Sequence, residues 1–431
     1  MDDATALTAA EFSDLFLPMK PAEGQGIAVA VSGGADSMAL TVMLGDYCAS
    51  HNIVLTALTV DHGLRAEAAE EARQVGRWLK KYNISHVILN WRGDKPQSNI
   101  QDQARRARYD LMGEWCQTNK VSKLCLAHHL DDQAETFLIR LFRGSGVDGL
   151  AAMKAQSDFP ILFPGAAAIT LCRPFLGVAK ERLRATLRHR GQNWIEDPSN
   201  QNESYTRVKI RHLLRDSDID GLNADRMAGT AARMGRVQSL LHDLTEELAQ
   251  DAVTYFEQGY AEITLSPLLS AHDEIALRCL AMLLRRVGGA KYAPRLNRLE
   301  ALYDRLKCEK TDQGGFSGQT LGGCLISLRP DNRIMISREG AAIGETLELE
   351  KNRITLWDGR FVIENGATVG LLKKLERAEW QSICRENPAL KKLKISKVVR
   401  DGLPCIIKAE GRVILPSFIA GFDKTGFRAI F

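Results

Sequence analysis

The sequence predicts an α/β protein: a doubly wound parallel sheet in the first half of the chain, then a mostly helical domain, then a small α+β C-terminal domain. Three observations point there. Short apolar, β-branched runs alternate with stretches of helical spacing at intervals of about 30 residues. Clusters of unusual polar residues follow three of those runs. Beyond about position 216 the alternation gives way to charge-mixed helical stretches and β-rich runs such as PCIIKAEGRVILPSF. The domain boundaries expected are therefore 1–216, 217–335 and 340–431.

The elements follow in order. Ile27 to Val31 alternates small and β-branched apolar residues, as a strand covered on both faces does. It ends in SGGADS, after which Met38, Leu40, Met43 and Leu44 recur at helical spacing. NIVLTALTV, Asn52 to Val60, reads as a second strand leading into DHGLR, and helical spacing runs from Ala66 to Tyr82. HVILNW is a third strand and NIQDQARRARYDLMGEWC a third helix. KLCLAHH is a fourth strand, and LDDQAETFLIRLF a helix after it. Leu222 to Gln250 reads as a helical connector. In a doubly wound sheet ligands bind beyond the carboxyl ends of the strands. That rule gathers Ser32–Ser37, Asp61–Arg65 and His128–Glu135 at one rim.

Composition excludes several classes. The N-terminus MDDATALTAAEFSDLF lacks a basic leader region and no apolar run approaches a membrane span, so a soluble, cytoplasmic protein with no membrane partner is expected. Nine cysteines are scattered without any C-x-x-C pair, which favours reduced thiols over disulfides or zinc. A net charge of +4 is small, but it is unevenly spread. Arg278 to Lys307 holds eight basic and two acidic residues, and Lys373 to Arg412 eleven and five. Either run alone suits a solvated surface; two of them on one chain suit a polyanion such as a tRNA.

In SGGADS, Gly33 and Gly34 allow positive φ and close approach of a ligand to backbone N–H groups. The following helix N-terminus adds unpaired N–H groups and a partial positive charge, which together make an anion site. Neither the Walker A spacing nor G-x-G-x-x-G is present. A tight strand-to-helix turn is the alternative for the glycine pair taken alone, and Ser37 or Asp36 can cap the helix.

SGGADS resembles the signature of the ATP pyrophosphatases, also called PP-loop enzymes. Seven motifs, namely SGGADS, VDHGLR, ARRARYDLM, LAHHLDDQAET, RGSGVDGLAAM, CRPFL and WIEDPSNQNESYTR, then occur in the order of the tRNA(Ile)-lysidine synthetase family, across most of Ile27 to Arg211. The resemblance implies a ligase. ATP adenylates the C2 oxygen of cytidine 34 in the CAU anticodon of tRNA(Ile), and the ε-amine of free L-lysine displaces AMP, leaving lysidine and pyrophosphate. The accessory domains, 217–335 and 340–431, would bind the tRNA. Oligomeric state stays open, a homo-oligomer included.

Residue roles fit that chemistry. Ser32, Gly33, Gly34, Ala35, Asp36 and Ser37 form the ATP-binding loop, with N–H and hydroxyl groups on the leaving pyrophosphate. Asp36 repels phosphate unless Mg²⁺ lies between them, so it is the expected metal ligand, a plain helix cap being the alternative. Asp132 and Glu135, three apart, share a helix face and suit a cationic substrate. The family's DDQxET string makes the same pair its lysine contacts, while acids enriched at a helix start for the dipole are the bland reading. One of His128 and His129 is expected to hydrogen-bond a nucleotide or a neighbouring loop. Arg105, Arg106, Arg108, Arg140 and Arg143 offer guanidinium forks for phosphate. Arg207 fits best, because it holds the Arg of the family's Y-x-R-N string, here YTRV with Val208 in place of Asn. A tRNA thiolase on the same fold would need paired cysteines, and the closest in the chain, Cys116 and Cys125, are nine apart. An RNA protein that binds the nucleotide without turnover is the third reading.

Overall fold

The computed structural model describes residues 4–65, 67–93, 95, 98–160, 168–196, 206–309, 316, 318–351, 353–365, 369–392, 395–419 and 427–431. Ala66 and the whole of DPSNQNESY, residues 197–205, lie outside the described residues. The chain divides into two compact units, Met1–Ser239 and Leu240–Phe431.

Unit 1 contains α1 (Ala9–Phe16), β1 (Ile27–Ala30), α2 (Ala35–Ser50), β2 (Leu55–Asp61), α3 (Ala68–Lys80), β3 (Ser85–Asn90), α4 (Ile100–Thr118) and β4 (Lys123–Cys125). These are followed by α5 (Leu130–Phe142), α6 (Val147–Leu150), β5 (Gln156–Asp158), β6 (Thr170–Cys172), α7 (Lys180–His189), α8 (Thr206–Asp216) and α9 (Ala224–Ala252), the last running past the boundary at Ser239. The sheet order is β3-β2-β1-β4-β6-β5. All neighbours are parallel except β5 against β6. The order reverses between β1 and β4, so the loops after these two strands part and open a crevice there.

Burial explains why the first strand and helix are so apolar. Ile27, Ala28 and Val29 are at most 1% exposed, and Met38 through Leu44 is equally buried, because α2 lies under α1 and α7 as well as on the sheet. Helix α1, which the sequence reading passed over, opens with a capping box in which Thr8 accepts from Glu11 N–H and Glu11 accepts from Thr8 N–H. It inserts Phe12 and Phe16 against Tyr47, with Phe175 edge-on to Phe12.

Unit 2 begins with β7 (Val253–Phe256), β8 (Tyr260–Thr264), α10 (Leu265–Ser270), α11 (Asp273–Gly288), α12 (Leu296–Glu309), β9 (Gln319–Leu321), β10 (Cys324–Arg329) and β11 (Arg333–Arg338). Its strands form an antiparallel sheet in the order β7-β8-β11-β10-β9. The expected mostly helical segment therefore has its helices, and a five-stranded sheet in addition. Arg329, Arg333 and Arg338 at the strand ends, and three-residue β9, hide that sheet from a periodicity reading. The remainder holds β12 (Leu347–Leu349), β13 (Arg353–Trp357), β14 (Phe361–Asn365), β15 (Gly370–Lys374), α13 (Arg377–Glu386), α14 (Lys397–Arg400), β16 (Pro404–Ile407), β17 (Val413–Ile414) and β18 (Phe427–Ile430). Two antiparallel sheets, β12-β15-β16-β17 and β13-β14-β18, enclose Trp357, Phe361, Ile363 and Ile406.

The cysteines are thiols, eight buried and Cys308 exposed. Cys125 and Cys172, far apart in sequence, are register partners on β4 and β6. Among the described residues no helix is long and apolar enough to cross a membrane.

Candidate active site

The loop between β1 and α2 is shaped by one glycine more than the other. Gly33 has φ +89, and a Cβ there would lie 2.7 Å from Ile195 Cδ1 and 2.9 Å from Val75 Cγ2. Gly34 is the N-cap of α2 in ordinary extended conformation, so only one of the pair uses positive φ. Ile195, from the WIED stretch, also donates its N–H to Gly33 O at 2.9 Å, which fastens a distant segment over the loop. Ser37 Oγ donates to Gly34 O at 3.0 Å, accepts from Ser32 N–H at 3.2 Å and lies 3.2 Å from Ser32 Oγ. No side chain caps α2. Its first-turn N–H groups therefore face the crevice without intrahelical partners.

That crevice is a cavity of about 410 Å³ walled by Ser32, Gly34, Asp36, Ser37, Arg65, Arg105, Arg108, Tyr109, His128 and Ile195. Residues from all three predicted clusters meet on it. Asp36 is the informative one. Among the described residues its Oδ1 is buried without a hydrogen-bond partner, and its Oδ2 lies 3.5 Å from His129 Nε2. The carboxylate makes no cap bond to α2, so the cap reading of Asp36 falls away.

His129, at the N-cap of α5, is 3% exposed and surrounded by carboxylates. Its Nε2 is 3.5 Å from Asp132 Oδ2 as well as from Asp36, and its Nδ1 is 3.4 Å from Asp131 Oδ2. Burial alone would discharge the ring, but Asp131, Asp36 and Asp132 together hold it protonated with a pKa of about 10. In return, although burial pushes Asp132 upward, the charges of His129 and Arg207 hold it below the usual carboxylate range. Asp131 has a second task, accepting Lys180 N–H at the start of α7. His128 behaves oppositely. Burial, with Arg173, Arg207 and Arg105 nearby, lowers it to about 4 despite Asp132, so the ring is neutral, and its Nδ1 has no hydrogen-bond partner among the described residues.

One turn further along α5, Glu135 is 1% exposed. Its Oε2 accepts from Arg207 Nε at 2.7 Å and its Oε1 from Arg211 Nε at 2.8 Å, both arginines reaching in from α8. Arg207 also comes within 3.4 Å of Asp132 Oδ1. The structure thus joins Asp132, Glu135 and Arg207 to Asp36 through His129, but only Asp36 lies on the cavity wall. Counting Asp36, Asp131, Asp132 and Glu135 against His129, Arg207 and Arg211, the group has four carboxylates and three cations. Val208 is buried, 5% exposed, where an Asn amide would need a partner.

The other arginines separate. Arg105 and Arg108 reach the cavity. Arg140 does not serve as a phosphate fork here: it donates to Gly149 O and Ala152 O, both at 2.9 Å, and ties down the loop after α5. Arg173, of the CRPFL motif, is likewise bound to Lys154 O and Ser157 Oγ. Sequence reasoning missed Ile195, the bridging role of His129, and Arg211. The last was within reach, since it stands one helical turn from Arg207.

Among the described residues no group of three or more His, Cys, Asp and Glu side chains can hold an ion alone. The buried, unpartnered oxygen of Asp36 fits a hard cation that shares its remaining ligands with phosphate oxygens and water.

Residues 7–217 match the PP-loop domain family. Over 338 residues the chain is 39% identical to a tRNA(Ile)-lysidine synthase of Wolbachia pipientis wMel, covering 78% of this chain and 76% of that protein. A tRNA(Ile)-lysidine synthase of Ruegeria pomeroyi is 40% identical over 341 residues, with coverage of 78% and 76%. One from Rhodopseudomonas palustris is 35% identical over 343 residues, covering 78% of this chain and 96% of that protein.

Proposed function

The chain belongs to the tRNA(Ile)-lysidine synthase family, and from that premise we propose how its own residues carry out the ATP-dependent ligation of lysine to tRNA(Ile). The reaction has two steps: adenylation of the C2 oxygen of cytidine 34 with loss of pyrophosphate, then displacement of AMP by the ε-amine of L-lysine. The observation that carries the reading is the Asp36 carboxylate, with a buried oxygen that has no hydrogen-bond partner among the described residues, on the wall of a cavity that also presents helix N–H groups and the hydroxyls of Ser32 and Ser37.

Ser32, Gly33, Gly34, Ala35 and Ser37 bind the departing pyrophosphate with N–H and O–H donors, whose orientation is fixed before the substrate arrives. Asp36 holds Mg²⁺, which when bound neutralises phosphate charge. Protonated His129 keeps Asp36, Asp131 and Asp132 from repelling one another and orients Asp36 toward the cavity. Asp132 and Glu135, beside that cavity, receive the cationic amino acid, and Arg207 offers its remaining N–H groups to an anionic substrate group. Glu135 is already engaged by two guanidinium groups, so a lysine ammonium competes with Arg207 or Arg211 for it.

Segments 217–335 and 340–431 act as the tRNA-binding parts. The support is their exposed basic side chains: Arg285, Lys291, Arg295 and Arg298 in one run, Arg377, Arg385, Lys391, Lys392 and Lys397 in the other. The enzyme works in the cytoplasm, where its substrates are made; a homo-oligomer is compatible with this scheme. The test is direct. Incubation of the full chain with ATP, Mg²⁺, labelled lysine and tRNA(Ile) bearing CAU should put label covalently on the tRNA, with AMP and pyrophosphate released in equal amounts. Nucleotide release without label transfer would overturn the reading.

A further inference from the structure

Adenylating a base inside an anticodon loop requires that base to leave its stack, and a receiving aromatic surface compensates the lost stacking. Besides the His128 imidazole, the cavity wall among the described residues offers the ring of Tyr109, and that ring is committed. It is 9% exposed, edge-on to Phe159 at 5.5 Å, with the Arg105 guanidinium 5.3 Å from its centroid.

Two further rings stand just beyond the wall. β2 ends at Asp61 and hands the chain to His62; β3 ends at Asn90 and hands it to Trp91. The two strand ends are tied together, since Trp91 N–H donates to Asp61 O at 2.9 Å and Gly63 N–H donates to Asp61 Oδ1 at 2.8 Å. His62 and Trp91 meet edge to face, centroids 5.9 Å apart and planes at 89°. Arg108, itself on the cavity wall, lies 3.4 Å from His62 Nε2, so the ring pair is one guanidinium away from the nucleotide cavity. The Lys95 ammonium sits 4.3 Å from the indole centroid. Trp91 is half-buried, and His62 Nδ1 is buried with no hydrogen-bond partner among the described residues.

We propose that Trp91 and His62 form the platform that receives the unstacked cytidine of the tRNA, with Lys95 and Arg108 taking its flanking phosphates. The proposal rests on the lysidine-forming reading above and adds the residues that hold the base. Aromatic faces accept any base, whereas the orphan imidazole nitrogen gives a polar contact to the base edge. Burial and the neighbouring Arg108 and Lys95 keep that ring neutral, with a pKa of about 4, so one nitrogen carries a lone pair and the other a proton. The cations above and beside the rings match the phosphates on either side of a flipped nucleotide.

Two variants of the full chain test this. Trp91→Ala should raise the KM for tRNA roughly tenfold, and Trp91→Phe by less than about threefold, with ATP affinity and the KM for lysine within about twofold of wild type in both. The fluorescence of Trp91, taken as wild type minus Trp91→Phe, should be quenched by the tRNA and not by the same tRNA made abasic at position 34. An unchanged tRNA KM in Trp91→Ala, an equal loss in Trp91→Phe, or equal quenching by the abasic tRNA would each overturn the platform. Failure of the wild-type chain to form lysidine would instead overturn the functional reading, so the two failures are distinguishable.

Discussion

The acid cluster around His129 in unit 1 and the Arg338–Asp358–Arg360 triad in unit 2 are both buried ionic groups, yet their hydrogen bonding differs. In the triad, Asp358 accepts from Arg338 Nε at 2.9 Å and Nη2 at 2.7 Å, and from Arg360 Nε at 2.6 Å. The spare guanidinium N–H groups reach the carbonyls of Gly323, Ala342 and Gly402. Strand ends and turns from all three sheets of unit 2 are stapled there. Around His129, by contrast, Asp36 Oδ1 and His128 Nδ1 are buried and lack hydrogen-bond partners among the described residues. A satisfied cluster holds architecture together; an unsatisfied one is kept at a cost in stability because a ligand completes it.

The comparison predicts opposite phenotypes. Asp36→Asn should lower pyrophosphate release by roughly a hundredfold or more while thermal melting moves by only a few degrees; near-normal turnover would remove Asp36 from the chemistry. Asp358→Ala should do the reverse. It leaves two buried arginines unpaired and should cost about 3–5 kcal/mol of stability in denaturant unfolding, with ATP affinity unchanged at low temperature. Full stability would show that the triad is not the staple described. For the same reason, deleting 340–431 is a poor test of tRNA binding, since it takes Asp358 and Arg360 from Arg338. Reversing Lys391, Lys392 and Lys397 to Glu keeps the staple and should weaken tRNA binding and flatten its salt dependence.

Smaller effects sharpen the contrast inside unit 1. Glu135→Gln should raise the KM for lysine by roughly tenfold, with ATP affinity within about twofold; equal lysine use would place Glu135 with the staples. Gly33→Ala puts a methyl group within 3 Å of Ile195 and Val75 at a positive φ, and should cost about 1–3 kcal/mol along with a weaker ATP affinity. If it melts and binds as wild type, the loop is looser than its geometry indicates.

Much of unit 1 was legible because its signals are local. α5 begins and ends where LDDQAETFLIRLF does, since an acid-rich first turn and helical apolar spacing mark both limits. β5 was not legible, because Gln156–Asp158 is three polar residues that become a strand only by pairing with β6. The rim convergence followed from strand ends alone, whereas the contact of Ile195 with Gly33 and the placing of His129 among three aspartates depend on tertiary approach. The triad in unit 2 was invisible for the same reason. Nothing local distinguishes Arg338 or Arg360 from the exposed arginines of the basic runs, and only burial separates them.

The most direct test of the claim that unsatisfied polar atoms mark the chemistry is a binding cycle. ATP affinity is measured with Mg²⁺ and with EDTA, for the wild-type chain and for Asp36→Asn. The account predicts that Mg²⁺ strengthens ATP binding by the wild type roughly tenfold or more and leaves the variant nearly unmoved. An equal Mg²⁺ effect in both proteins would contradict it, and the orphan oxygen of Asp36 would then have no ligand to explain it.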